Sequence, residues 1–384
     1  MYRCLLTATA ALLLAGTTTA VAGDLDASWE DGVEYRFAKR KSLQLGGRVH
    51  YDFASFDDDV TQFDDDSDFR RLRASLKGRV DDFHLRADYD FGLVEGWRGL
   101  YVQYRGFKRT RITVGQMVAP FSLDDLMSSN DMTFMERSLG SALSPGMLLG
   151  ASYQTWGKHW TATVGVYGDE INDQDRREAD GTSVIGRVTW APVSNKRNVL
   201  HLGLAQEFRS IDGDSDVRLR TRPESRIANG RLLSTPLLPG VDDLRTTGLE
   251  FMAIHRNLRF QSEYMLTSLE GGTSDADFGG GYVQFSAVLT GERYRYSKSG
   301  AYATAPRPRG KFGALEAAVR YSTLDLEDGA ATGGEQTQLT GSLSWYINQQ
   351  LRVTTNYSVY DAAPNRNGID EDGSIVMLRL QAAL

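Results

Sequence analysis

The sequence predicts an all-β protein, a 16-stranded antiparallel barrel that spans a membrane, and three observations lead to this fold. The first residues have the pattern of an export signal. No later stretch reaches the roughly 18 consecutive apolar residues that a spanning helix needs. From Leu43 onward, segments of about ten residues alternate between apolar and polar side chains. A chain that crosses a membrane without helices satisfies its backbone hydrogen bonds only in a closed barrel.

The N-terminus predicts export from the cytoplasm. Arg3 precedes a short apolar core, Leu5 to Ala15, and Ala20-Val21-Ala22 supplies the small residues of a cleavage site. We therefore expect a signal peptide at 1–22, an N-terminal periplasmic segment at 23–42 and the barrel at 43–384. Cleavage removes the only cysteine of the chain, so disulfides and cysteine-ligated metals are excluded from the mature protein.

Alternation along the chain predicts both the strands and the faces that they present. In the second segment Arg71 and Arg73 have one parity, and Leu72 and Leu76 have the other. An even number of strands, each about as long as a tilted bilayer crossing, is typical of bacterial barrels. The predicted strands lie at 43–53, 71–80, 83–91, 97–105, 110–117, 149–156, 159–168, 182–191, 199–209, 246–255, 257–267, 281–290, 311–324, 336–348, 350–360 and 374–384.

A secreted β-sandwich also alternates, and two features argue against it. Arginines at inward positions would face a dry core at high cost, whereas a wide barrel presents them to water. Aromatic residues also recur at strand ends, where the girdle of a membrane barrel would lie. These residues are Trp97, Trp156, Trp160, Trp190, Trp345 and Tyr346.

Charge and motifs narrow the function classes. The chain has a formal net charge of −7, and its acidic runs at 57–59 and 64–66 fall in predicted loops. An exported acidic chain is a poor candidate for a nucleic-acid partner. The five histidines lack metal-ligand spacing, and no nucleophile elbow, phosphate-binding loop or dinucleotide motif is present. We therefore expect no catalytic residues, no metal and no cofactor.

An ordered series of short motifs resembles the phosphate- and polyphosphate-selective porins of Gram-negative outer membranes, the O and P porins. The similarity covers nearly all of the chain after the signal peptide. Its motifs are Gly46-Gly47-Arg48, Phe69-Arg70-Arg71-Leu72-Arg73, Gly115-Gln116 with Pro120-Phe121, Phe134-Met135-Glu136-Arg137, Arg222-Pro223-Glu224, Leu289-Thr290-Gly291-Glu292 and Trp345-Tyr346-Ile347-Asn348. The resemblance implies a homotrimer of 16-stranded barrels, each with a loop folded into the lumen and a ladder of arginines that leads anions to a constriction.

The candidate anion-binding residues are basic side chains on predicted inward faces and in loops. Arginine suits an anion pore because its planar group donates two parallel hydrogen bonds to phosphate and stays charged. Alternation places Arg71, Arg73, Lys77 and Arg79 on one wall, and the family pattern adds Arg48 and Arg70. Arg70 has the opposite parity from Arg71, so its inward direction requires a bulge or a strand end. Loop candidates are Arg137 and the series Arg218, Arg220, Arg222 and Arg226.

The presumed inward loop departs from the family pattern. Residues 117–149 contain Arg137 as their single basic residue and no lysine, whereas the resemblance implies a lysine in this phosphate site. We therefore expect an outer-membrane channel for anions, with phosphate, pyrophosphate or polyphosphate as solutes. The alternatives are a general or other-anion porin without phosphate selectivity, or a non-channel barrel that is enzymatic or structural. Expected partners are small inorganic or organic anions, outer-membrane lipid and lipopolysaccharide.

Overall fold

The fold was analysed from a computed structural model, which describes residues 24–28, 32–172, 180–213, 215–272, 275–329 and 331–384. The predicted signal peptide lies outside these residues. Twenty-two strands are present: β1 Asp24–Ser28, β2 Gly32–Ala38, β3 Lys41–Asp58, β4 Asp66–Val80, β5 Phe83–Asp90, β6 Gly96–Tyr104, β7 Thr110–Val118, β8 Met147–Trp156, β9 Trp160–Gly168, β10 Gly181–Ser194, β11 Asn198–Ile211, β12 Arg220–Thr221, β13 Leu233–Ser234, β14 Val241–His255, β15 Leu258–Gly271, β16 Ala276–Val288, β17 Arg295–Ser297, β18 Tyr302–Thr304, β19 Ala314–Asp328, β20 Ala331–Tyr346, β21 Leu351–Ala362 and β22 Glu371–Ala383.

Sixteen of these strands close into one antiparallel barrel. They are β3 to β11, β14 to β16 and β19 to β22, each paired with the next. Closure is made by β22, which pairs with residues 48–58 of β3. The predicted 16-stranded barrel is confirmed, and every predicted segment overlaps one barrel strand. Several strands run longer than predicted, such as β14, whose first residues, Val-Asp-Asp-Leu-Arg, lack the strict alternation used to find it.

The N-terminal strands extend the sheet beyond the closed barrel. β1 pairs with β2, and β2 pairs with residues 41–45 of β3 along the edge that β22 leaves open. β3 therefore begins at Lys41, two residues before the predicted start of the barrel. At residues 41–45, β3 pairs with β2, and β22 no longer pairs with β3 to close the barrel.

Side-chain alternation gives the barrel an apolar outer face and a polar inner face. On β4, Leu72 is 39% exposed, whereas its neighbour Arg71 is 3% exposed. Trp160, Trp190 and Trp345 are exposed on the outer face, as expected for a girdle. Tyr346 instead is buried and donates a hydrogen bond of 2.5 Å to Glu316. Its parity is opposite to that of Trp345, which is why the two neighbours face different ways.

The two ends of the barrel differ in their connections. Six connections between barrel strands at one end have only two to five residues, such as 81–82 between β4 and β5. The seventh connection at this short-turn end is the insertion 289–313, which contains the β17–β18 hairpin. Long connections at the opposite end include 119–146 and 212–240. Segment 119–146 contains the helix α1 (Leu123–Leu126) and a 3-10 helix (Leu139–Ala142).

The long segments pack their apolar residues against the inner face of the barrel. Phe121, Leu139 and Leu143 of segment 119–146 share one buried cluster with Ile185 of β10 and Leu324 of β19. Val217, Leu219 and Leu233 of the other long segment join the same cluster. Burial of these side chains, worth about 1.5–3 kcal/mol each, holds both segments against the wall.

Candidate functional site

A cavity of about 980 Å³ lies between the inner face of the barrel and the three inserted segments. Among the described residues, seven acidic side chains contribute to its lining: Asp88, Asp90, Asp125, Glu136, Glu170, Asp180 and Glu224. Thirteen arginines of the described ranges also line it: Arg48, Arg70, Arg71, Arg73, Arg86, Arg98, Arg111, Arg137, Arg187, Arg220, Arg222, Arg226 and Arg231. In this part of the chain, cationic side chains therefore outnumber carboxylates around the cavity, although the whole chain is acidic.

Arg70 reaches the cavity through a break in the strand pairing. His50 of β3 pairs with Arg71, but the next residue, Tyr51, pairs with Phe69, so Arg70 is left without a partner in the register. Such a bulge re-aims one side chain without changing the rest of the strand. Arg70 and Arg71 therefore both line the cavity. The sequence predicted that Arg70 could point inward only at a bulge or a strand end, and a bulge is present.

Several of the lining arginines form ion pairs with carboxylates. Arg70 Nε lies 2.5 Å from Glu136, and Arg73 Nη2 lies 2.9 Å from Asp90 of β5. Within segment 119–146, Arg137 Nε lies 2.7 Å from Asp125. These contacts reduce the number of guanidinium hydrogens available to a passing anion.

Arg48 and Arg71 are held in a different way. Arg48 donates to the hydroxyl groups of Ser129 at 2.8 Å and Ser128 at 3.3 Å. Arg71 Nη1 lies 3.3 Å from Nδ1 of His50. Among the residues that the structure describes, neither guanidinium has a carboxylate oxygen within 4.0 Å. They lie on adjacent strands beside the cavity, and neither forms a direct ion pair with a carboxylate of the described residues.

Segment 119–146 is tied to strands on several sides of the barrel. Glu263 of β15 accepts hydrogen bonds from the backbone amides of Leu123 at 2.6 Å and Asp124 at 2.8 Å. Arg379 of β22 and Arg352 of β21 donate to backbone carbonyls of the same segment, at Met135 and Met132, each at 2.6 Å. Carboxylates and guanidiniums of the wall thus satisfy backbone groups that would otherwise be buried without partners.

The acidic groups of this segment titrate differently from one another. Burial alone would raise the pKa of the Glu136 carboxyl, but the guanidiniums of Arg70, Arg71 and Arg379 hold that pKa well below its usual range. Burial raises the pKa of the Asp124 and Asp131 carboxyls. Of Asp124, Asp131 and Glu136, Glu136 is therefore the one whose negative charge is most strongly maintained against acid.

The described residues contain no group of three or more His, Cys, Asp or Glu side chains arranged to hold a metal ion. No helix in the described ranges is long and apolar enough to cross a membrane.

Comparison with known proteins identifies the family. The family model for the phosphate-selective porins O and P matches residues 43–384. The chain belongs to this family. Porin O of Pseudomonas aeruginosa is 26% identical over 97% of this porin and 96% of its own length.

Solved structures of other outer-membrane proteins share the fold. The anion-selective porin from Comamonas acidovorans superposes with a TM-score of 0.55 at 14% identity, covering 90% of this chain and 100% of that one. The trimer form of OmpT, an outer-membrane protein of Vibrio cholerae, gives a TM-score of 0.57 at 11% identity, covering 90% and 100%. The family and the barrel place this porin in the Gram-negative outer membrane and indicate a channel rather than an enzyme.

The candidate residues from the sequence fall into two groups in this porin. Eight of them line the cavity: Arg48, Arg70, Arg71, Arg73, Arg137, Arg220, Arg222 and Arg226. Lys77 and Arg79 do not lie among its described lining residues and are exposed. They pair with Gln44 and Ser42 of β3, beyond the point where β22 closes the barrel. Arg218 precedes β12 and is also outside the described lining.

Five lining arginines were missed by the sequence reading: Arg86, Arg98, Arg111, Arg187 and Arg231. Arg86 has the polar parity of its strand, so alternation contained the signal for it. Arg187 forms an ion pair with Glu250 of β14, with Nε 2.7 Å from the carboxylate. No local pattern marks such a partner, because 63 residues separate the two in the chain.

Proposed function

We propose that this porin is a passive diffusion channel for small anions and that the arginines around the cavity form its selective lining. The observation that carries the proposal is the excess of arginines over carboxylates among the described residues that line the cavity. Low-dielectric walls focus the field of these charges and raise the local concentration of anions. The family description, phosphate-selective, and the name of the Comamonas porin, anion-selective, support the same class of solute.

Phosphate, pyrophosphate and polyphosphate are the proposed solutes, with weaker phosphate binding than the family resemblance alone implies. Arg70, Arg73 and Arg137 are engaged by carboxylates. Arg48 and Arg71, which have hydroxyl and imidazole partners, are the proposed primary contacts for the anion. If the arginines that pair with carboxylates do not release them to bind phosphate, the channel is a general anion porin without phosphate selectivity.

Segment 119–146 is proposed to narrow the lumen. Its backbone contacts reach β15, β21 and β22, and its apolar residues pack on inward-facing side chains. Asp125 and Arg137 of this segment line the same cavity as Arg48 and Arg71 of the wall. An anion that passes through this space therefore meets the wall and the segment together.

A homotrimer in outer-membrane lipid and lipopolysaccharide is the proposed assembly. The Vibrio cholerae OmpT structure with the same fold is a trimer form. Native mass measurement in detergent, before and after heating, tests this assembly. A monomer at all temperatures that preserve the barrel would contradict it.

The experiment for the proposed function is conductance in planar bilayers. Purified folded protein is inserted in KCl, and inorganic phosphate is then titrated at constant ionic strength. We expect stepwise conductance and a decrease of chloride current at millimolar phosphate. Heat-unfolded protein is the control. Folded protein without conductance would contradict the channel and favour a plugged, structural barrel.

A further inference from the structure

The cavity has a second part near the short-turn end, where it is bounded by the insertion 289–313. The tip of the β17–β18 hairpin contributes Ser299, Gly300 and Tyr302 to the lining, opposite side chains of β5 to β8. This part contains the only aromatic residues among the described lining residues, Tyr101 of β6 and Tyr302. Its chemistry thus differs from that of the arginine and carboxylate cluster around segment 119–146.

The hairpin is held in place by wall residues. Arg187 donates to the backbone oxygen of Ala301 at 3.1 Å, and Arg111 donates to Ser299 Oγ at 2.7 Å. Tyr296 Oη lies 2.9 Å from Nδ1 of His201. Three contacts from three different strands fix the position of Tyr302 relative to the wall.

Two guanidiniums accompany the two tyrosines. Arg86 is the cross-strand neighbour of Tyr101. Tyr302 interacts electrostatically with one carboxylate, that of Asp131, and with Arg111, Arg86 and Tyr101. Arg111 packs over the ring of Trp156, with its guanidinium carbon 4.7 Å from the ring centre. Arg86 is paired with Asp88 at 2.6 Å, whereas Arg111 has no carboxylate oxygen within 4.0 Å among the described residues. Within the described ranges, the group therefore contains one guanidinium, that of Arg111, without a direct ion pair to a carboxylate.

Glycines keep this part of the cavity open. A Cβ atom at Gly99 would lie 3.7 Å from Tyr101 Cε1 and 3.6 Å from Asp88 Oδ2, so a larger side chain there would fill space beside the ring. A Cβ atom at Gly300 would collide with the ring of Tyr302. Both tyrosine rings thus have glycine, and not a bulky side chain, beside them.

We propose that Arg86, Arg111, Tyr101 and Tyr302 form a subsite for anions that carry an aromatic ring, such as aryl phosphates or aromatic carboxylates. The inference rests on the proposed anion channel and deepens it. The guanidinium of Arg111 binds the anionic group, and the tyrosine rings contact the face or edge of the solute ring. Aromatic pairs of this kind contribute enough to favour an aryl anion roughly twofold to tenfold over a non-aromatic one.

The tyrosine hydroxyls offer a different use of the same residues, since each could donate a hydrogen bond to inorganic phosphate. The ring and the hydroxyl are separable by substitution. Tyr→Phe retains the ring and removes the donor, and Tyr→Leu removes both. The Tyr→Leu variants therefore lose either use, whereas the Tyr→Phe variants lose only the use that depends on the hydroxyl.

The test compares current block by inorganic phosphate, methyl phosphate, cyclohexyl phosphate and phenyl phosphate in planar bilayers. The variants are Tyr101→Phe, Tyr101→Leu, Tyr302→Phe and Tyr302→Leu. The matched control is Tyr104→Leu, because Tyr104 lies on the same strand with its ring 5.1 Å from that of Phe83, away from the cavity. Heat-dependent mobility on gels verifies that each variant is folded.

We expect phenyl phosphate to block wild type at a roughly twofold to tenfold lower concentration than cyclohexyl phosphate. Both Phe variants and the control should retain this preference, and both Leu variants should lose it. Equal block by the two esters in wild type, or a preference that survives both Leu substitutions, would overturn the subsite. Equal block by the two esters in wild type, together with weaker block by inorganic phosphate in the Phe variants, would assign the tyrosines to hydroxyl donation instead. Failure of inorganic phosphate to reduce the current, with phenyl phosphate still active, would count against the proposed phosphate channel and not against the subsite.

Discussion

Arg70 Nε lies 2.5 Å from Glu136 Oε1, and this ion pair joins the barrel wall to segment 119–146. Arg379 of β22 binds the same carboxylate at 2.9 Å, so Glu136 links two strands that are not neighbours. The bulge in β4 makes this contact possible, because it directs Arg70 to the cavity beside Arg71. The Glu136 carboxylate therefore affects both the position of segment 119–146 and the positive charge that the wall presents to the cavity.

Replacing Glu136 with glutamine should destabilise the folded barrel. The substitution leaves Arg70 buried without its carboxylate partner, whereas Arg379 keeps Asp52. Removing one partner of a buried pair costs about 3 kcal/mol or more. The temperature at which the folded band disappears on gels measures the effect. The control is Glu270→Gln, which breaks an exposed pair with Arg245 and should cost less than about 1 kcal/mol. Equal losses in the two variants would contradict the account.

Acid should remove the stabilising contribution of Glu136 only at pH values well below those at which carboxylates ordinarily titrate. Its pKa in the folded protein is lowered from 4.5, so its stabilising effect is fully present above pH 4.5 and is lost as the pH falls through the lower folded-state value. Thermal stability measured from pH 7 to pH 2 should show a larger acid-dependent loss for wild type than for Glu136→Gln. Parallel curves for the two proteins would show that Glu136 is not held ionised.

Loss of the wall arginines should reduce anion preference more than loss of Arg137. A unit charge about 5 Å from the ion path contributes on the order of 1 kcal/mol even in water-like surroundings. Arg71→Ala with Arg73→Ala should therefore lower the chloride-to-potassium permeability ratio at least about fivefold. Arg137→Ala should lower it less, because Arg137 is engaged by Asp125 and by backbone oxygens of its own segment. Arg245→Ala, on the outer surface, is the control.

Removing the carboxylate of Asp125 should increase anion preference. Asp125 lines the cavity and pairs with Arg137, so Asp125→Asn makes that guanidinium available and deletes a negative charge. Asp124→Asn is the matched comparison. Its carboxylate is buried, accepts a hydrogen bond from the Ser138 amide at 3.2 Å and is absent from the described lining. Zero-current potentials should shift toward chloride for Asp125→Asn and less for Asp124→Asn. The reverse order would be contrary to the structure.

Alternation predicted the direction of the side chains but not their position along the barrel axis. Arg71, Arg73, Lys77 and Arg79 share one parity, and the sequence assigned all four to the same wall. The first two line the cavity, whereas the last two lie where β3 pairs with β2 and no longer with β22. The point of closure is set by pairing between residues more than 300 positions apart, which no local pattern encodes.

Contacts between distant segments were likewise invisible in the sequence. The acidic residues of 117–149 were recognised, but their partners Arg70 and Arg379 follow only from the closed barrel. In the sequence, the insertion 289–313 was interpreted only as a break between two predicted strands. Its place at the short-turn end, beside Tyr101 and Arg111, depends on the count of strands that precede it.

The most direct test of the central claim is the zero-current potential of the wild-type channel in a tenfold KCl gradient. An excess of arginines around the pore predicts a potential with the sign of chloride permeation. The magnitude should fall in the Arg71→Ala/Arg73→Ala double variant, and phosphate should reduce the chloride current. A wild-type potential with the sign of potassium permeation would contradict the proposed anion channel and leave only the barrel.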